Sequence, residues 1–261
     1  MDLPGGPNFS EDEIQRYSRH ILLDEVGGTG QARLRDARVL IVGAGGLGSP
    51  VLLYLAAAGV GTIGVVDDDV VELSNLSRQI AHGTADVGAG KVASALAAAR
   101  AINPLVKLEG HAVRLDAANA GALVAGYEVV CDGSDSFATR AAVAEAARRA
   151  GRTLISAAVL RFEGQLGVFR AHDGRACYRC LYPEAPPQGL MPTCAQAGVL
   201  GAVAGVMGTL QAVEAIKEIL GIGDTLAGKL LIWDALGMAF RTIALRRDPA
   251  CPACGHDHSE G

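Results

Sequence analysis

Positive charge, aromatic rings and lysine are all scarce in this chain, and each shortage excludes something. Lysine and arginine total 23 against 28 acids over 261 residues, a net charge of -5. Nucleic-acid-binding domains usually carry a basic surplus toward the phosphates, so DNA and RNA are excluded as expected partners. Aromatics make up 4%, too few to build stacking platforms for single strands. The N-terminus, with Asp2, Glu11, Asp12 and Glu13, has no basic stretch ahead of an apolar one, so no secretory leader is expected and a cytoplasmic location is. Residues 39–66 and 185–213 are uncharged and long enough to cross a bilayer. The first is cut by Gly43, Gly45, Gly46, Gly48, Pro50, Gly59 and Gly61, and the second by Pro186, Pro187, Pro192, Gln196 and Gln211. Neither is expected to span a membrane.

What remains is apolar and rich in glycine. Half the residues are hydrophobic and 34 are glycine, enough to bury a core and to turn the chain tightly. The length suits one large domain or two small ones. Ser10 and Glu13 form an S-x-x-E capping box that predicts a helix from about residue 10, carrying Arg16, Tyr17, Arg19 and His20. A turn-rich segment with Gly27, Gly28 and Gly30 follows. Strands are predicted at 37–42, 62–66, 106–113, 128–131 and 153–157, and helices at 46–58, 91–102, 116–125 and 136–150. This alternation predicts an α/β fold, a Rossmann-like, doubly wound, mostly parallel sheet. From residue 161 the rhythm becomes α+β with antiparallel strands. Residues 165–171 read as a hairpin strand, Asp173-Gly174 as a hairpin turn, and 229–233 and 239–245 as further strands, with a Gly/Ala-rich helix inside 185–213.

Gly43-Ala44-Gly45-Gly46-Leu47-Gly48 lies between a predicted strand and a predicted helix, the setting in which a G-x-G-x-x-G loop receives a phosphate on helix-terminal amides. Asp67-Asp68-Asp69 ends the next strand, where an acid accepts hydrogen bonds from ribose hydroxyls. Thus far a nicotinamide dehydrogenase fits equally well. Arg78 and Lys91 come shortly downstream. Two cations there suit a triphosphate better than a dinucleotide, and Lys91 is one of only four lysines.

The runs GAGGLG, D-x-D-x-V-x-x-S-N-L-x-R-Q (residues 67–79), VGAGK and D-G-S-D (132–135) resemble the MoeB/ThiF adenylyltransferases of the ubiquitin-activating-enzyme superfamily, over residues 14–255. The resemblance implies activation, by ATP and magnesium, of the C-terminal glycine carboxylate of a small ubiquitin-like sulfur carrier ending in Gly-Gly. It implies that Gly43, Gly45, Gly46 and Gly48 shape the nucleotide loop, with Asp67, Asp69 and Gln79 also at the nucleotide. Asp67 would hold the ribose, and Asn75, Arg78 and Lys91 the phosphates. Asp135 would hold magnesium or align the triphosphate, and Arg19 would reach the partner's ATP across a homodimer. Ser136 stands where relatives commonly have Asn, which removes any amide role there. The implied organisation is one integrated unit: 1–36 contributing across the dimer, 37–160 binding ATP, and 161–261 binding the carrier. A carboxylate already ionised at neutral pH needs no general base.

Cys177-x-x-Cys180 and Cys251-x-x-Cys254 supply four thiolates, a closed tetrahedral shell for structural zinc that clips the C-terminal tail to the hairpin region. Disulfides are disfavoured without an export signal, and His256 and His258 are left as a solvated tail. Cys131, ending an apolar strand, reads as core. Cys194 sits where the superfamily carries a thioester- or persulfide-forming cysteine. It is either such a nucleophile or a retained, unused thiol. Gly164 and Gln165 are placed on an edge strand that lines the channel for the carrier's tail, or in a plain hairpin. The favoured carrier is the small subunit of molybdopterin synthase (MoaD-like), with a ThiS-like thiamine carrier second. Sulfur is expected from a separate donor protein, since no sulfurtransferase domain follows Gly261. The rival classes are an NAD-dependent oxidoreductase and a non-catalytic β-grasp-binding module.

Overall fold

The computed structural model describes residues 8–170, 173–184 and 197–255. Eight strands form one sheet in the order β3-β2-β1-β4-β5-β6-β7-β8. The strands are β1 (Arg38–Val42), β2 (Thr62–Val66), β3 (Lys107–His111), β4 (Val129–Asp132), β5 (Thr153–Leu160), β6 (Glu163–Phe169), β7 (Lys229–Asp234) and β8 (Ala239–Ala244). β3-β2-β1-β4-β5 pair in parallel, and β6, β7 and β8 continue antiparallel. Every residue of β2 and β4 is buried, because helices cover both faces of a parallel sheet and leave no face for polar side chains.

One apolar layer, including Ile41, Leu52, Leu55, Ile63, Ile155 and Met207, lies under α2 (Gly27–Asp36), α3 (Gly48–Ala58), α4 (Lys91–Ile102) and a 20-residue helix, α8 (Gly201–Leu220). The opposite layer, including Leu40, Val130, Leu154 and Phe169, lies under α5 (Ala120–Ala125), α6 (Phe137–Arg149) and the single turn α7 (Tyr178–Leu181). α3 and α8 pack so closely that a Cβ on Gly208 would stand 2.5 Å from the Leu47 carbonyl oxygen. α1 (Glu11–Ile21) starts at Ser10 with both bonds of the expected capping box present. Strand order reverses between β1 and β4, so the crevice beyond their carboxyl ends is the ligand position of this sheet type.

Four features differ from the sequence expectation, one for a local reason and three for tertiary ones. The turn-rich segment is helix α2: Gly30, Gln31 and Leu34 are buried there, and Gly30 lets the helix approach Leu220, which overrides glycine's weak helix propensity. α5 begins at Ala120 rather than 116, because the Asp116 carboxylate accepts from the Ala118 and Asn119 amides and holds a turn. Asp173-Gly174 is not the hairpin turn. The β5–β6 turn lies at Arg161-Phe162, with Arg161 at φ 55°, held by Arg161 N–H on the Gly198 carbonyl and Leu200 N–H on the Arg161 carbonyl. β6, finally, is an interior strand between β5 and β7 rather than an edge. Gly164 makes room there for Met207 of α8, whose Sδ would be 2.4 Å from an added Cβ, and Gln165 Oε1 accepts from the Tyr182 hydroxyl at 2.9 Å. Among the described residues no helix is long and apolar enough to cross a membrane.

Candidate nucleotide edge and cysteine cluster

The loop after β1 needs its glycines for different reasons. Gly43 takes φ 91°, a left-handed conformation open to glycine, and its added Cβ would press on the Gly133 carbonyl oxygen at 3.2 Å. On Gly48 a Cβ would stand 1.7 Å from the Gly43 carbonyl oxygen, and on Gly46 3.2 Å from Ala204 Cβ of α8. Gly45 is looser, with only Gln79 Nε2 at 3.6 Å. Among the described residues the Gly45 and Gly46 amides have no hydrogen-bond partner, and α3 begins two residues on. Free amides at a helix N-terminus suit an anion.

Around this loop the chain folds its polar residues. Asp67, at the end of β2, accepts from Ala44 N–H at 2.7 Å through Oδ2 and from Asp69 N–H at 2.9 Å through Oδ1. Both bonds leave each oxygen a further lone pair. Lys91 Nζ lies 2.8 Å from Asp69 Oδ2, with the lysine side chain 8% exposed and the aspartate 66%. Asn75 is buried and its Oδ1 accepts from Glu72 N–H, holding the turn that delivers Arg78. Arg78 packs on Gly46 and donates to the Ser74 carbonyl. No carboxylate among the described residues pairs with it. Gln79 is 4% exposed and its Oε1 is unpartnered.

The loop after β4 completes the edge. Asp132 is fully buried, accepting from the Ser134 amide and hydroxyl and from the Ser156 hydroxyl. Asp135 is exposed at the mouth of α6, and Ser136 is the N-cap of that helix, accepting from Thr139 N–H. Serine in place of the expected asparagine therefore has a capping use.

Gly43, Gly45, Gly46, Gly48, Asp67, Asp69, Asn75, Arg78, Gln79, Lys91 and Asp135 thus share one edge of the sheet. Arg19 does not. α1 docks where the parallel strands begin: Tyr17 packs on Gly59, the C-cap of α3, and Arg16 donates to the Ile102 carbonyl at the end of α4. The 11 residues of α3 separate that edge from the glycine loop by roughly 16 Å at 1.5 Å per residue. Cys194, His256 and His258 lie outside the described residues.

Two residues of this edge escaped the sequence reading. His82 is 7% exposed, with Nε2 2.9 Å from the Ala44 carbonyl oxygen and Nδ1 2.8 Å from Ser94 Oγ. Asp132 was visible in D-G-S-D without a role. A single histidine inside an irregular segment gives no periodicity or spacing that would have flagged it.

At the far end of the sheet the two CxxC pairs meet. Sulfur separations are 3.9 Å for Cys177–Cys180, 3.6 Å for Cys177–Cys251 and 3.5 Å for Cys180–Cys254. A tetrahedral zinc with Zn–S near 2.3 Å requires sulfurs about 3.8 Å apart, so this donor set fits that ion. Burial pushes the Cys177 and Cys180 thiols up. For Cys251 burial acts the same way, but the Ala253 and Cys254 amides together with hydrogen bonds from the Cys177 and Cys180 thiols outweigh it and bring the thiol down to about 7. Cys131 is buried in the core, as expected.

Known proteins resemble the chain along most of its length. The chain is 52% identical over 247 residues to the probable adenylyltransferase/sulfurtransferase MoeZ of Mycobacterium tuberculosis, covering 94% of this chain and 63% of MoeZ. It is 48% identical over 256 residues to the sulfur carrier protein adenylyltransferase of Thermus thermophilus, covering 97% and 94% of the two chains. The crystal structure of Escherichia coli MccB with ATP superposes with a TM-score of 0.80 at 23% identity, over 92% of this chain and 74% of that one, a likeness of fold alone. A model of the ThiF family matches residues 17–253, the whole sheet with its glycine loop and three of the four clustered cysteines, and the protein belongs to the ThiF family.

Proposed function

We propose that the chain is an ATP-dependent adenylyltransferase acting on the C-terminal glycine carboxylate of a ubiquitin-like sulfur carrier. The observation that carries this reading is that Arg78, unpaired with any described carboxylate, packs on Gly46, while Lys91 is tied through Asp69 and Asp67 to Ala44 of the same loop, whose Gly45 and Gly46 amides have no partner among the described residues. A carboxylate approaching a polyanion meets repulsion, so the site must neutralise the phosphates and hold both reactants together. One carboxylate oxygen bonds to the α-phosphorus, the bond to the β-phosphate oxygen breaks, and pyrophosphate leaves with its charge on Arg78 and Lys91. The product is an acyl-adenylate. Lys91 is poised for this: its partner Asp69 is mostly solvated, and a surface carboxylate is easily exchanged for a phosphate. Asp67 would hold the ribose and Asp135 a magnesium ion, which supplies further charge neutralisation when bound.

The distance of Arg19 from its own chain's loop supports a homodimer in which it serves the partner's site. Exposed Tyr54 on α3 and Val206 and Val213 on α8 would supply apolar contact for such a pair. The four thiols would hold zinc as a structural clip, with no ligand position left for substrate. Free thiols throughout the described residues support a reducing, cytoplasmic setting. The name of the Thermus relative supports a sulfur carrier as substrate. Within that class we favour a MoaD-like carrier with a separate sulfur donor, and leave the Cys194 thiol as either a covalent relay or a bystander.

Carrier-dependent exchange of labelled pyrophosphate into ATP tests the reading. Exchange should require the carrier and fall about 100-fold or more in Arg78→Ala and Asp135→Ala, the scale for losing a group that neutralises developing charge. Exchange that ignores the carrier, or hydride transfer to a nicotinamide instead, would overturn it.

A further inference from the structure

The Ala44 residue, inside the glycine loop, is gripped on both sides. Its N–H donates to Asp67 Oδ2 at 2.7 Å, and its carbonyl oxygen lies 2.9 Å from His82 Nε2. A carbonyl only accepts, so Nε2 carries the proton. The other ring nitrogen lies 2.8 Å from Ser94 Oγ on α4, and Ser94 is itself 6% exposed. These bonds fix two successive peptide planes. In a trans peptide the carbonyl oxygen and the following N–H point in opposite directions. Holding the Ala44 carbonyl on His82 therefore holds the Gly45 N–H away from His82, and that N–H has no partner among the described residues.

We propose that His82 is a positioning residue for the nucleotide: through the Ala44 carbonyl it keeps the Gly45 amide turned toward the phosphates. Without that bond the Ala44–Gly45 peptide is free to flip, since glycine after it tolerates either sign of φ. The flipped loop presents a carbonyl oxygen to an anion. Ser94 acts one step further back, fixing the ring. The proposal rests on the reading of this loop as the ATP site.

The test is calorimetric titration of wild type, His82→Leu, His82→Gln and Ser94→Ala with ATP and, separately, with adenosine, alongside thermal melting. Glutamine keeps an N–H donor at the end of a side chain of similar reach, whereas leucine has none. His82→Leu should weaken ATP about ten-fold while adenosine changes less than about two-fold, the scale of one hydrogen bond. His82→Gln should recover most of the ATP affinity. Ser94→Ala should weaken ATP by about three-fold, a fraction of one hydrogen bond. Equal losses of ATP and adenosine, or unchanged ATP affinity in His82→Leu, would overturn the positioning role. If His82→Leu does not fold, unchanged ATP affinity in Ser94→Ala would overturn it. Wild type that takes up no ATP would instead bring down the reading of the site itself.

Discussion

The glycine-loop edge and the cysteine cluster are organised in opposite ways. At the loop, the protein's own hydrogen bonds from Asp67, Asn75, Asp132 and His82 set the backbone before any ligand arrives. At the cluster, four sulfurs sit at van der Waals distance with nothing of the protein between them, and burial works against charging Cys177, Cys180 and Cys251. One region is preorganised; the other is a donor set that a cation would complete. The two regions should therefore respond independently to perturbation. The largest expected effect follows: prolonged chelation, or Cys251→Ser, should cost roughly 3 kcal/mol or more, since structural zinc binding is folding free energy. Calorimetry should show the melting temperature falling by about 6–12 °C, at 2–4 °C per kcal/mol for a chain of this size class. A metal-depleted protein that melts as before would remove zinc from the account.

Within the loop the comparison sharpens to single carbons. Gly48→Ala places a Cβ 1.7 Å from the Gly43 carbonyl oxygen, whereas Gly45→Ala meets only the flexible end of Gln79 at 3.6 Å. The first should destabilise by about 3 kcal/mol, as overpacking against rigid backbone does, and the second by under about 1 kcal/mol. Urea unfolding of the pair checks the order. Equal effects would mean that the loop's backbone yields freely, which would also undercut its preorganisation.

Smaller still is the effect of Asp69→Asn. Lys91 is nearly buried and loses the one carboxylate that it meets among the described residues, but that carboxylate is 66% exposed, so the stability cost should stay under about 1 kcal/mol. ATP binding, by contrast, should be kept or strengthened, because Lys91 no longer has to exchange a partner. Weaker ATP binding in Asp69→Asn would mean that the aspartate itself faces the nucleotide.

These contrasts also explain what the sequence could tell. The parallel half was legible because its central strands are apolar runs and turn residues punctuate its elements: β2 and α4, which stops before Asn103-Pro104, fall where pattern and punctuation put them, and the Ser10 box starts α1. The cysteine pairs were legible from spacing alone, and the glycine loop from its strand and helix neighbours. Apart from the local Asp116 turn before α5, the failures lie where distant residues decide. α2 is helical because Leu220 packs on Gly30, and the hairpin turns at Arg161 because residues 198–200 clamp it. β6 is interior because β7 returns beside it, which no local pattern announces. His82 was hidden for the same reason: its role is defined by what lies across the fold.

The most local effect concerns α1, the element that carries Arg19. Ser10 Oγ accepts from Glu13 N–H at 3.2 Å, and Glu13 Oε2 accepts from Ser10 N–H at 2.8 Å. Ser10→Ala should cost about 1 kcal/mol of local stability. Hydrogen exchange of the first-turn amides should speed up accordingly, while the glycine loop and cysteine cluster stay unchanged. The bond from the Ser10 amide, more than nearby Arg35, holds the Glu13 carboxyl below its usual range. A carboxyl lowered by folding stabilises the helix above its unfolded pKa, and that contribution fades as pH falls through the lowered value. Acidifying below about pH 4 should therefore loosen α1 in wild type, and Glu13→Gln should show no such acid step. If Glu13→Gln keeps that step, other carboxylates set the acid response of α1 and the capping box is a minor anchor for Arg19.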